Sequence, residues 1–125
     1  MKLIDTHTHI YLPEFDSDRD TAVNRALENG IEKLLMPNID ISSIGAMLST
    51  EAKFPGICHS MAGLHPTSVK EDYIDQLYKL EALWAEHKFI AIGEIGIDLY
   101  WDKTFIKEQI NSLRRQIAFA IEKSL

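Results

Sequence analysis

One cysteine, Cys58, stands in 125 residues, so no internal disulfide can form and a reducing compartment is expected. Long apolar runs are missing as well. Nothing approaches the roughly 18 uninterrupted apolar residues of a membrane-spanning helix, and Asp5 breaks the opening Met1-Lys2-Leu3-Ile4 before a signal-peptide core could build. The expectation is a cytoplasmic chain with no membrane partner. Basic residues are scarce: 13 Lys and Arg face 19 Asp and Glu, a formal net charge of -6. That balance gives no general attraction to polyanions, so any nucleic-acid contact needs a local basic patch or bound cations. Linkers, low-complexity tracts and composition breaks are absent too, and residues 1–125 read as one unit.

What the chain does have is a hydrophobic fraction of 46%, enough for a packed core, arranged in alternating short and periodic apolar segments. Lys2–His7 reads as a first strand, Lys33–Pro37 as a second, Ile57–Ala62 as a third and Phe89–Ile92 as a fourth. Helical spacing intervenes each time. Ala22, Val23, Ala26 and Leu27 precede the stop signal Gly30; a second helix is expected over Ser42–Lys53; a third runs through Ile74, Leu77, Tyr78, Leu80 and Trp84. A fourth begins near Thr104 and sets Ile106, Ile110, Leu113, Ile117 and Ile121 on one face, with the Lys, Glu and Gln residues of 103–116 on its solvated side. Four such units predict an α/β protein with a parallel sheet wound by right-handed crossovers. A full eight-stranded (β/α) barrel of TIM type takes about 250 residues, so four units are about half of one.

Polar residues collect just beyond the predicted strands. In Asp5-Thr6-His7-Thr8-His9, side chains two apart in an extended segment point the same way, so His7 and His9 converge and as neutral rings are candidate metal ligands. Asp5 is a candidate to orient a ring or to ligate. The plainer alternative is a pair of surface histidines near a terminus. Gly93-Glu94-Ile95-Gly96-Ile97-Asp98 puts Glu94 at the same mouth, where its two oxygens suit it to bridge two cations, the plainer alternative being a helix-capping or loop acid. His65, held extended by Pro66, is a candidate for substrate phosphate or the metal site, or a turn histidine. His59 and His87 read as structural or exposed. Tyr100 and Trp101 are candidates to stack on a base, or to cap the core.

The ordered set Asp5-Thr6-His7-Thr8-His9 with Phe15, then Gly63-Leu64-His65-Pro66, then Gly93-Glu94-Ile95-Gly96-Ile97-Asp98-Leu99-Tyr100, resembles the TatD family of metal-dependent deoxyribonucleases along the entire chain. Gln109, Gln116 and Ala120 fit the following helix of that family. The resemblance implies His7 and His9 as ligands of one metal, Glu94 as a carboxylate shared by two, and His65 as a histidine near the substrate phosphate. It implies two divalent ions (Mg, Mn or Zn) and DNA, as single strands or ends, as substrate. It also implies two further histidines and a catalytic aspartate on later strands, beyond residue 125. No catalytic acid or base is therefore identified within the chain, which is expected to be a truncated form with an incomplete two-metal site.

Two other readings stand beside this one. A half barrel with unpaired edges is expected to self-associate, and it is alternatively a folded, inactive metal-binding domain or dimeric scaffold. His-x-His after a first strand also occurs in amidohydrolases and phosphoesterases with small-molecule substrates. Many amidohydrolases use a carbamylated lysine near the fourth strand, and no lysine lies between Phe89 and Trp101.

Overall fold

The computed structural model describes all 125 residues. Three strands form a parallel sheet in chain order: β1 (Leu3–Asp5), β2 (Ile31–Pro37) and β3 (Cys58–Met61). Helices α1 (Arg19–Glu28), α2 (Ile44–Lys53), α3 (Tyr73–Leu83) and α4 (Ile106–Glu122) complete the alternation. The parallel α/β class read from the sequence is what the chain forms. Gly30 ends the α1 connection with φ 87°, a conformation that favours glycine, and its missing Cβ leaves room for the Met1 carbonyl oxygen.

Register explains which side chains are buried. Leu34 pairs with Cys58 and Met36 with Ser60, and alternation turns these four to one face, where all are buried. Val23 of α1 and Met47 of α2, both with no exposed surface, belong to the same core. The opposite face carries Leu35, His59 and Met61, only half-buried.

Two expectations need correction. The fourth strand is reduced to an isolated bridge between Met61 and Ala91. Hydrogen bonds from Ile90 N to Ser60 O (3.1 Å), Ala62 N to Ala91 O (3.2 Å) and Gly93 N to Ala62 O (3.2 Å) hold that segment to β3. Its outer edge has no neighbouring strand, so the sheet ends there as three strands plus a bridge rather than the four of a half barrel. Phe89, at 2% exposed, joins the core and packs on Trp84, which also meets Phe119.

The second correction concerns α4. Its buried residues are Gln109, Ser112 and Gln116, while Ile106, Ile117 and Ile121 are exposed. The two glutamines are therefore not part of a solvated face. The reason is backbone demand: Gln116 accepts from Leu64 N (2.7 Å) and donates to Leu64 O (3.3 Å) and Ser112 Oγ (3.1 Å). Gln109 accepts from Asp98 N (2.8 Å) and donates to Asp98 O (2.9 Å). Loops with no strand partner take their hydrogen bonds from this polar stripe, since unpaired buried amides are costly. A bidentate pair from Arg115 to Glu81 ties α4 to α3.

Candidate metal centre

His7, His9, His65 and Glu94 all sit a few residues past the C-terminal end of a sheet position. β1 stops at Asp5, whose Oδ1 accepts from the His7 backbone N–H at 3.1 Å. Asp5 thus shapes the turn, not the imidazole. Thr8 N donates to Leu35 O at 3.0 Å, which keeps residues 6–9 alongside β2 and leaves His7 and His9 together on the other side. Their Nε2 atoms stand 3.1 Å apart, with the rings edge-on at 73°.

Glu94 reaches the same point through a backbone clamp. Asn38, fully buried, donates its backbone N–H to Met61 O and Gly93 O, and its carbonyl accepts from Glu94 N at 3.0 Å. Its side chain donates to Gly63 O (2.8 Å) and Asp40 O (2.9 Å) and accepts from Ser43 Oγ (2.7 Å). Gly63 allows the close passage: a Cβ there would lie 2.6 Å from the Gly93 carbonyl carbon. Any side chain at 63 would push the Glu94 segment away.

Glu94 Oε2 lies 3.1 Å from His7 Nε2 and 3.5 Å from His9 Nε2. Donors held at about 2.0–2.1 Å around a tetrahedral ion stand about 3.3 Å from one another. The triangle of His7, His9 and Glu94 therefore fits a single divalent cation, and its three atoms are the only group of this kind in the chain. His7 is 53% exposed, so one side of the triangle opens to solvent.

The second oxygen of Glu94 has its own partner. His65 Nδ1 accepts from the Thr67 backbone N–H at 3.1 Å, so in the neutral ring the proton is on Nε2, which stands 3.2 Å from Glu94 Oε1. His65 thus meets the carboxylate from the side away from the histidine pair. Thr67 went unnoticed in sequence although it lies two residues on. So did Asn38, a single polar residue after an apolar strand, and Tyr11, whose hydroxyl lies 2.9 Å from His9 Nδ1. Period-two spacing from His7 through His9 was the one available signal for Tyr11.

Burial holds the His9 pKa below the ordinary histidine value, neighbouring His7 lowers it further, and Glu94 opposes both. The shift favours the neutral ring that a metal requires. Burial pushes the Tyr11 hydroxyl up to about 12, so it keeps its proton. His59, in β3, and His87, exposed after α3, lie outside the cluster. Tyr100 and Trp101 are largely exposed and edge-on to each other, so they do not cap the core. Trp101 borders a small cleft with Thr67, Lys70, Phe105 and Gln109.

A parallel α/β sheet with two imidazoles and a carboxylate converging beyond its strand ends defines a class: proteins whose functional rim is ready for a cation. The profile of the family described as TatD related DNase matches residues 4–125, and the chain belongs to that family. It is 30% identical over 123 residues to the uncharacterized metal-dependent hydrolase YabD of Bacillus subtilis, covering 98% of this chain and 48% of that protein. It is 31% identical over 125 residues to the 3'-5' ssDNA/RNA exonuclease TatD of Yersinia pseudotuberculosis, covering 98% and 47%. The crystal structure of the TatD homolog YjjV from Escherichia coli superposes with a TM-score of 0.87 at 28% identity, over 98% of this chain and 48% of that one. The chain spans about half the length of the curated relatives it matches.

Proposed function

We propose that this chain carries the cation-holding part of a metal-dependent nuclease acting on phosphodiester bonds of DNA, with a divalent ion held by His7, His9 and Glu94. The observation that carries this reading is the donor triangle of 3.1, 3.1 and 3.5 Å at one end of the sheet. When bound, such an ion would polarise a phosphoryl oxygen and lower the pKa of its water, to roughly 7 in the case of zinc. Mixed nitrogen and oxygen donors suit zinc or manganese, and magnesium where oxygen dominates. The resemblance to the family implies two ions; the triangle of donors in this chain would hold one.

The protein's own groups divide the remaining work. Glu94 would supply negative charge to the ion, and His65, 3.2 Å from Oε1, holds the rotation of the carboxylate. A phosphate arriving at the rim meets the same His65 N–H, which gives His65 a second, substrate-facing role. Tyr100 and Trp101 offer exposed rings on which bases of a single strand can stack. Lys70 lines the cleft beside Trp101 but is paired with Asp102 at 3.6 Å, so a bound ion would be the main attraction for an acidic chain to recruit a polyanion.

The test combines binding with turnover. Calorimetric titration of the purified chain with Mn2+ or Zn2+ should show one ion, and Glu94→Gln should lose most of that heat. An assay with a 3'-labelled single-stranded oligonucleotide and Mn2+ then reports release of nucleotides. Metal uptake without release would make the chain a folded, inactive metal-binding domain. Absence of uptake would end the metal reading.

A further inference from the structure

A neutral imidazole carries one proton and one lone pair, and a metal can use only the nitrogen with the lone pair. The surroundings of His9 decide which nitrogen that is. Tyr11 is 1% exposed, and its hydroxyl stands 2.7 Å from the carbonyl oxygen of Pro37. A carbonyl only accepts, so the single phenolic proton is committed there. The same oxygen is 2.9 Å from His9 Nδ1. With its proton spent, it accepts, and Nδ1 must hold a hydrogen. The lone pair is left on Nε2, the atom that faces His7 Nε2 and Glu94 Oε2.

Both anchors of this relay are themselves fixed. Pro37 is buried at the end of β2, in register with Met61. Arg19 of α1 gathers the loop that carries Tyr11, donating to Ile10 O (2.8 Å), Tyr11 O (3.1 Å) and Leu12 O (2.9 Å). His7 has no counterpart: its only ring contacts are on the Nε2 side, and more than half of its side chain is exposed. The two ligands therefore differ, one pre-set by the fold and one free to adjust.

We propose that Tyr11 is a positioning residue: by joining His9 Nδ1 to the Pro37 carbonyl it fixes the tautomer and orientation of the ring, so that Nε2 is presented to a divalent cation before the cation arrives. This rests on the reading of His7, His9 and Glu94 as the cation site.

The experiment uses the full chain and Tyr11→Phe, which keeps the ring and removes only the hydroxyl. Long-range proton–nitrogen spectra of the metal-free, 15N-labelled chain should show His9 protonated on Nδ1, and in Tyr11→Phe that preference should weaken while His7 is unchanged. Calorimetric titration with Zn2+ should give affinity about 10- to 100-fold lower in Tyr11→Phe, the usual cost of removing a partner behind a metal-bound histidine. His9 protonated on Nε2 in the unmodified chain would overturn the proposal. So would Zn2+ affinity in folded Tyr11→Phe within about twofold of the unmodified chain, well short of that usual cost. If Tyr11→Phe does not fold, the ring assignment of the unmodified chain decides alone. An unmodified chain that takes up no Zn2+ defeats the cation reading, while the spectra still decide whether Tyr11 sets the ring.

Discussion

Around Met36 and Met47 the chain packs by excluding water, with Val23, Leu34 and Cys58 filling the space between two helices and the sheet. Along α4 the buried stripe is Gln109, Ser112 and Gln116, while Ile106, Ile117 and Ile121 are exposed. The first region needs only apolar volume at the right period. The second must satisfy the backbone of two loops that no strand partners, and those loops, at Leu64 and Asp98, flank His65 and Glu94. Apolar packing builds the sheet, and buried amides hold the rim where chemistry is proposed.

That contrast can be broken most forcefully in the core. Met47→Ala removes a fully buried side chain between α2 and the sheet, and should cost about 2–5 kcal/mol in urea unfolding. Zinc affinity of the molecules that remain folded should not change. A matched loss of affinity would mean that the core and the rim are one cooperative unit.

Gln116→Ala comes next, at about 1–3 kcal/mol, because it strands the buried N–H and C=O of Leu64. Here the effect should reach the rim: amide exchange at Leu64 and His65 should quicken more than at β2. Uniform acceleration along the whole chain would show that α4 has no special hold on that loop.

The smallest effect distinguishes the apolar side. Burial pushes the Cys58 thiol from an ordinary 9.0 up to about 11. The folded state thus favours the neutral thiol; its contribution is intact below the unfolded value and is lost as pH rises through the folded one. By pH 10 the loss is about 1 kcal/mol. Chemical denaturation of the unmodified chain and of Cys58→Ala, compared from neutral to alkaline pH, should show their stability difference shifting by that amount above pH 9.0, the ordinary thiol value. A flat difference would place the thiol in a more polar setting than its neighbours Met36 and Met47 imply.

Much of this was legible in one dimension. The alternation of apolar segments located β1 to β3 and four helices, because periodicity is a local property of the chain. The motif Asp5-Thr6-His7-Thr8-His9 and Glu94 stood out because imidazoles and a carboxylate at strand ends are chemically unusual. The fourth strand misled because Phe89-Ile90-Ala91-Ile92 has strand composition, yet a ladder also needs neighbours along its length. The α4 stripe misled because isoleucine spacing says which face is apolar, not which face is buried. Asn38 and Thr67 carried no signal, and Tyr11 only its period-two spacing from His9, because their importance is in their partners.

The sequence alone determined the element order, the parallel α/β class and the identity of the donor atoms, all of which depend on residue type and short-range spacing. Only the tertiary structure decided that His7, His9 and Glu94 meet within 3.5 Å, and that α4 turns its glutamines inward. It also decided that Tyr11 stands between His9 and Pro37. Hydrogen bonds and close approach are set by residues brought together from distant positions, and no local pattern encodes the angle at which they arrive.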